Sequence, residues 1–384
     1  MEIKNLEKVA DRIKKAIENK EKIILFGDSD LDGVTSVITL REAINNLGGR
    51  NSALYFSNRE KEGYGLSRTA LVFFKKEFGK LKKILLIVLD CGIGNFKEAK
   101  LAKRMGFELI IVDHHEPLGK IPEASIVVDP KQPRDKYPFK GLSACGIVFR
   151  LACLLFDGKM PESLRKNFVE LACLSTLADM MPKEEENVAF IREGMRLLEK
   201  SWRPGLRAIL DSPFLKDLSG EIEGKIQRLI SLLNTRDVRR GLPISFKLLT
   251  LPSSAGGKMM IEDLVERGKQ KRGEIKNILE EIEARIEEKK EAIIFEGDKE
   301  WDSILISAVA SILVQKHKKP VFLFKDLGKE SLGTVRNPSE VNGVCLMKKC
   351  QKLLITFGGH PKASGFRLKN ENLEKFKECL IKNL

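Results

Sequence analysis

The sequence predicts an α/β protein, with a mostly parallel sheet joined by a long helix to a second, smaller α/β domain. Three observations carry this expectation. From residue 22 to about residue 130, short apolar runs alternate with helix-like segments. The turn-rich stretch LPSSAGG, Leu251 to Gly257, then precedes a charged segment whose apolar residues recur at helical spacing. From about Ala292 a second alternation of strand-like and helix-like segments begins.

The opening residues, MEIKNLEKVADRIKKAIENKEK, set apolar side chains among lysines and glutamates as an amphipathic helix does, unlike a secretory signal. The runs at 23–26, 53–56, 84–89, 109–112 and 126–128 are short and apolar, which predicts strands. Segments 35–47, 67–78 and 94–105 predict the helices between them. This rhythm favours a parallel sheet covered on both faces, and such sheets gather ligands beyond the carboxyl ends of their strands. Residues 143–250 read as mostly helical, with turns at Arg203-Pro204-Gly205 and Ser212-Pro213. Ile275, Ile278, Leu279, Ile282 and Ile286 mark the joining helix. Beyond it come a strand, a helix at 303–317, a strand at 321–324, the segment GTVR, another helix, and a glycine-rich turn before 365–368. The expected domain limits are 1–255, 256–291 and 292–384.

At 384 residues, 42% hydrophobic and 32% charged, the chain fits a soluble globular protein with a full core. Its apolar runs are too short to cross a bilayer, so no membrane role is expected. Seven scattered cysteines without a CxxC pair suggest neither a disulfide framework nor a zinc site, and the expected compartment is the cytoplasm. A net charge of +14 fits attraction to phosphate polyanions, or a solvated lysine-rich surface. Basic residues cluster at 97–104, 236–240, 269–272 and 316–319.

The chemistry concentrates in acidic residues placed just past apolar runs. DSDLDG carries Asp28, Asp30 and Asp32 directly beyond the first predicted strand. Like charges so close repel one another and resist losing water, so a positive partner is expected among them. An EF-hand would need a carboxylate at the twelfth loop position, which is Thr39, and a preceding helix where a strand is predicted. LDCG places Asp90 at a strand end, DHHE places Asp113, His114 and His115 at the next, and STLADMMP places Asp179 after a helical stretch. Singly, each aspartate reads equally as a helix cap or turn former, and each histidine as a structural residue. Together they form an oxygen-rich set with a minority of imidazole, which suits Mn²⁺ or Mg²⁺ better than zinc. Two such ions can clamp a phosphodiester.

In this order, DSDLDG, LDCG, DHHE and STLADMMP resemble the four motifs of the DHH phosphoesterases, and GGHPKASGF, Gly358 to Phe366, resembles the signature of their DHHA1 domain. The resemblance runs from about Lys22 to Phe366. It is nearest to the RecJ branch of single-strand-specific 5′→3′ exonucleases, because the first motif is D-x-D-x-D-G and NREKEGYGLS resembles the RecJ R-x-x-E-G-Y-G segment. PKEEENVAFIREGMRLLEKSWRPGLRAIL is similar to the RecJ stretch after the fourth motif. The resemblance implies a DHH catalytic domain and a DHHA1 substrate-binding domain. It implies Asp30, Asp32, Asp90, His114 and Asp179 as ligands of two Mn²⁺ or Mg²⁺ ions, with Asp90 bridging and Asp28 a further candidate. His115 would act at the scissile phosphate or leaving group, with Asp90 and Asp179 also in the catalytic set. Arg59 and Arg336 would hold the 5′-phosphate, with Thr334 in place of the usual serine. Gly358, Gly359 and His360 would approach the terminal nucleotide, and Tyr64 and Phe366 are candidates for base stacking.

Two departures shape the expected substrate. Only LNTRDVRRG, around Asn234, stands where RecJ proteins carry an N-A-A-G-R-like segment, which leaves open whether Arg236, Arg239 or Arg240 substitutes. The sequence also ends before any OB-fold domain, which brings short oligonucleotides forward beside single-stranded DNA. The rival readings are an oligonucleotide or cyclic-dinucleotide phosphodiesterase on the same scaffold and, in a different class, a non-catalytic DNA-binding relative. The complete acidic and histidine set argues against the latter.

Overall fold

A computed structural model describes residues 2–216, 222–235, 238–239, 241–287 and 291–384. The chain divides into two compact units, residues 1–265 and 266–384.

In the first unit, five strands form one parallel sheet: β1 (Lys22–Gly27), β2 (Ser52–Phe56), β3 (Ile84–Leu89), β4 (Glu108–Val112) and β5 (Ile126–Val128), in the order β2-β1-β3-β4-β5. These are the predicted runs, extended by one residue at some ends. Both faces are buried, so successive side chains along a strand enter different cores. Ile23 and Leu25 join Leu85, Ile87 and Leu89 on one face, while Ile24 and Phe26 join Leu86 and Val88 on the other. Fully burying each such side chain contributes roughly 1.5–3 kcal/mol. On the first face lie α1 (Leu6–Glu18), α2 (Leu31–Asn46), α6 (Ala144–Leu155) and α7 (Glu162–Ala178). The short α3 (Arg59–Glu62) follows β2, and α4 (Arg68–Phe78) and α5 (Phe96–Arg104) cover the second face.

Register positions the site. Gly27 pairs with Phe56 and Leu89, Leu89 with Val112, and Val112 with Val128. The residues that follow, Asp28, Asp90, Asp113 and Asp129, therefore emerge along one edge of the sheet. α2 begins at Leu31, four residues earlier than its apolar pattern suggests, because the Asp30 side chain accepts a hydrogen bond from Gly33 N (3.2 Å) and caps it. The rest of the unit is helical: α8 (Glu186–Glu199), α9 (Pro204–Leu210), α10 (Pro213–Lys216), α11 (Ile222–Leu233) and α12 (Ile244–Leu249), with a small ladder of β6 (Val238–Arg239) and β7 (Leu242–Pro243).

Helix α13 (Lys258–Ile286) crosses the division: Ile261 and Leu264 pack in the first unit, Ile278 and Ile282 in the second. The second unit has a mixed sheet, β11-β12-β10-β9-β8, built from β8 (Ile294–Asp298), β9 (Val321–Asp326), β10 (Glu330–Arg336), β11 (Leu354–Gly359) and β12 (Ala363–Lys369). Only β8 and β9 pair in parallel. Phe295, Phe322, Phe366 and Phe376 fill one face beside α15 (Gly343–Lys349) and α16 (Leu373–Asn383), while α14 (Leu305–His317) packs on the other. Cys350, just past the end of α15, and Cys379, within α16, have Cα atoms 6.1 Å apart and form a disulfide. The scattered cysteines gave no sign of this pairing, because packing 29 residues apart in sequence creates it. No described helix is long and apolar enough to cross a membrane.

Candidate metal centre

The tight start of α2 depends on Gly33, where a Cβ would lie 2.5 Å from the carbonyl oxygen of Asp28. This folds Asp28, Asp30 and Asp32 back over the end of β1. Asp32 is buried and well held. Its Oδ1 accepts from Ser175 Oγ (2.6 Å) and Cys145 N (2.8 Å), and its Oδ2 from Ala144 N (2.9 Å). The two amides are the first of α6, so the helix's positive end also faces this carboxylate. Ser143 Oγ, 2.7 Å from Ser175 Oγ, completes the support.

Asp90 follows β3 with a left-handed backbone, φ +61°, and Met180, after Asp179, has φ +52°. Such conformations are uncommon outside glycine and cluster where function fixes a side chain. His114 Nδ1 lies 3.1 Å from the Leu142 carbonyl, which can only accept, so Nδ1 carries the proton and Nε2 presents a lone pair. That lone pair faces Asp90 Oδ1 at 3.2 Å, Asp32 Oδ2 at 3.5 Å and Asp179 Oδ2 at 3.5 Å.

The electrostatics are unfavourable as they stand. Burial, followed by repulsion from Asp32 and Asp30, pushes Asp90 well above the usual carboxylate range. Burial lifts Asp32 to about 6, and it drives His114 well below the usual imidazole value. A neutral imidazole converging with three carboxylates is a donor set for a hard divalent cation, and neutralising that charge removes the repulsion. The residues present fit Mn²⁺ or Mg²⁺.

Arg59 supplies local positive charge. Its Nε donates to Asp28 Oδ1 (2.8 Å), and one terminal nitrogen reaches both Asp28 Oδ2 and Asp30 Oδ2. Asp28 is therefore held by a guanidinium, as is one oxygen of Asp30. Arg59 also lies over the Tyr64 ring, 4.8 Å from its centroid. Tyr64 OH is 3.1 Å from His115 Nε2 and donates to the Asp90 carbonyl (3.3 Å). Asp113 anchors the histidine pair: Oδ1 lies 2.7 Å from His115 Nδ1 and accepts from His114 N (2.8 Å), and Oδ2 accepts from Ile93 N (2.9 Å). Burial works against Asp113's charge, but His115 beside it holds the carboxyl well below its ordinary value. The same contact raises His115 despite its burial.

The first unit thus brings together Asp28, Asp30, Asp32, Asp90, His114, His115, Asp179, Arg59 and Tyr64. The remaining candidates lie in the second unit. Arg336 Nε donates to Ser311 Oγ (3.0 Å) and Nη1 to Thr334 Oγ1 (3.2 Å), and Thr334 accepts from Ser307 Oγ (3.1 Å). Gly359 needs to be glycine: φ is +127°, and a Cβ would fall 2.7 Å from the Ala363 carbonyl oxygen. His360 N bonds that same carbonyl (2.8 Å), closing a tight turn beside Gly358. Phe366 is buried in the aromatic core, which leaves it a packing residue. Arg236 and Arg240, and the side chain of Arg239, lie outside the described residues.

Sequence reasoning missed the supports of the cluster. Ser175 stands inside the quoted STLADMMP motif, but nothing there says which acid it meets. Asn234, singled out only as a remnant, accepts a hydrogen bond from Leu31 N (3.1 Å) at the start of α2.

A parallel sheet with carboxylates and imidazole gathered at its carboxyl edge defines a class. Family models match the DHH family, N-terminal domain, at residues 22–176 and the DHHA1 domain at residues 289–384. The chain thus carries a DHH-family N-terminal domain and a DHHA1 domain. It is similar to the single-stranded-DNA-specific exonuclease RecJ of Bacillus subtilis (strain 168), at 30% identity over 392 residues, covering 99% of this chain and 48% of that protein. The chain therefore spans about half the length of that relative. Among solved structures, an exonuclease RecJ bound to manganese aligns with a TM-score of 0.78 at 24% identity, covering 100% of this chain and 94% of the other. RecJ of Thermus thermophilus in complex with Mn²⁺ aligns with a TM-score of 0.81 at 23% identity, covering 100% of this chain and 55% of the other.

Proposed function

We propose that the chain is a divalent-metal-dependent exonuclease that hydrolyses single-stranded DNA from its 5′ end and releases 5′-mononucleotides. The observation that carries this reading is the convergence of His114 Nε2 with Asp32, Asp90 and Asp179. Support also comes from the likeness to RecJ proteins along 99% of the chain.

In this reading Asp30, Asp32, Asp90, His114 and Asp179 hold Mn²⁺ or Mg²⁺, with Asp28 adding charge behind them. The bound ions supply Lewis acidity and an activated water for attack on phosphorus. Ser175 and the first amides of α6 fix Asp32, and the Leu142 carbonyl keeps the proton of His114 on Nδ1 so that Nε2 can ligate. Asp113 holds His115 by Nδ1 and favours its protonated form, so Nε2 can donate a proton to the departing 3′-oxygen. Tyr64 orients that ring. Arg59 holds Asp28 and Asp30 and is the first unit's candidate for the 5′-phosphate, with Thr334, Arg336, Gly358, Gly359 and His360 as the second unit's nucleotide contacts. The proposed domain limits are 1–255, 256–291 and 292–384. The cytoplasm is the proposed compartment: five of the seven cysteines are free, with the Cys350–Cys379 disulfide the exception.

The test is end-labelled cleavage with Mn²⁺ and Mg²⁺ in parallel, using a 5′-phosphorylated DNA 30-mer, its 3′-phosphorylated counterpart and a dinucleotide. Stepwise shortening from the 5′ end supports the reading. Cleavage of the dinucleotide alone replaces it with the oligonucleotide phosphodiesterase, and strand binding without cleavage replaces it with the non-catalytic relative.

A further inference from the structure

Residues 68–107 carry ten lysines and arginines against three acidic residues, an excess of seven compared with +14 for the whole chain. One of the three acids is the buried Asp90. The fold gathers the cations on a single layer. α4 and α5 cover the same sheet face; Phe74 meets Phe107 with ring centroids 6.4 Å apart, and Lys75 Nζ donates to the Met105 carbonyl (3.0 Å). Lys97, Lys100, Lys103 and Arg104 form one exposed stripe along α5. Lys76 extends it on α4, and Lys80, Lys82 and Lys83 crowd the turn into β3. Counter-charge is sparse: Lys100 meets Glu123 at 3.3 Å and Lys83 meets Glu21 at 3.8 Å. Both lysines are largely exposed, where such pairs are weak. On the same layer, Phe73, one ring neighbour of which is Tyr55 (centroids 5.8 Å apart), stays 44% exposed, and Leu81 48%.

We infer that the outer face of α4 and α5 is a second binding surface for single-stranded nucleic acid, running from the carboxyl edge of the sheet, where α5 begins, away from the carboxylate cluster to the turn before β3. Lys83 precedes β3 and Asp90 follows it, so the strand sets the turn roughly 20 Å from the cluster. Clustered lysines and arginines bind phosphates without sequence preference. Phe73 decides between strand types, because an aromatic face among cations can stack an unpaired base but not a paired one. A surface that only maintains solubility would intersperse both signs of charge.

The experiment uses the full chain in EDTA, with fluorescence anisotropy of a labelled 30-nucleotide single strand followed across salt concentrations. The triple variant Lys97→Gln, Lys100→Gln, Lys103→Gln should bind roughly tenfold more weakly at 0.1 M salt, with a log–log salt slope shallower by about two. Its hydrolysis of a dinucleotide with Mn²⁺ should match wild type. Phe73→Ser should weaken single-strand binding with the slope unchanged, and circular dichroism melting confirms that both variants fold. Unchanged affinity and slope in the triple variant overturn the proposal. So does stronger binding of a blunt duplex than of the single strand, or displacement of the strand by polyglutamate at equal charge, which would mark an acidic protein as the partner. Because binding is read without metal, a failure of the nuclease reading leaves this result intact, and the reverse also holds.

Discussion

Oδ1 of Asp90 lies 3.2 Å from Nε2 of His114, and Asp90 reaches that position from a left-handed backbone, φ +61°. In a buried site this approach needs a shared cation or a shared proton, and only a divalent cation serves His114 and all three carboxylates at once. Asparagine tolerates this backbone conformation while alanine does not, so the pair separates chemistry from strain. Asp90→Asn should lower hydrolysis by about three orders of magnitude, as expected when a metal ligand's charge is lost. Affinity for single-stranded DNA should remain within about twofold, because the basic surface carries it. Steady-state cleavage and anisotropy on the same variant check both halves.

The same carboxylates should make the metal-free protein less stable as pH rises. Asp32 is held up to about 6 against an ordinary value of 3.8, and Asp90 is also raised. Between those values the folded state keeps protons that the unfolded chain releases. The stability this provides is complete below about pH 4 and is lost as pH climbs through the raised values, by about 3 kcal/mol for Asp32 alone. Thermal melts in EDTA from pH 4 to 8 should show a steeper decline for wild type than for Asp90→Asn. Saturating Mn²⁺ should flatten the wild-type profile.

Ser175 touches no substrate atom in this scheme, yet its hydroxyl fixes Asp32 at 2.6 Å. Ser175→Ala should weaken Mn²⁺ binding by about tenfold, the usual scale for losing a group that orients a metal ligand. Isothermal titration calorimetry measures it. Turnover at saturating Mn²⁺ should fall much less than affinity does.

Arg59 is the counter-charge of a fully buried Asp28. Arg59→Ala strands that carboxylate, and breaking a buried pair from one side costs about 3–5 kcal/mol. Differential scanning fluorimetry of the metal-free protein should show the loss. Arg59→Lys should recover only part of it, since an ammonium cannot span both oxygens as the guanidinium fork does.

Much of this was legible in the sequence, for a physical reason. Strands buried on both faces must be continuously apolar, so ILLIVL at 84–89 announces β3, and the acids that end such runs fall together once the sheet is parallel. Contacts made across the chain leave no local trace. Ser175 is 143 residues from Asp32, and Asn234 is 203 residues from Leu31. The pairing of Arg59 with Asp28 and Asp30 was likewise invisible, because a resemblance assigns an arginine to phosphate without saying what it touches meanwhile. GTVR hid the strand β10, whose identity rests on antiparallel partners at β9 and β12 rather than on its own short pattern.

The most direct measurement is anomalous diffraction at the manganese edge from crystals grown with Mn²⁺. Peaks should appear within about 2.1 Å of the Asp32, Asp90 and Asp179 oxygens and His114 Nε2. A well-ordered cluster with no peak in saturating Mn²⁺, its carboxylates closed instead by Arg59 or by protons, would contradict the metal centre and the nuclease built on it.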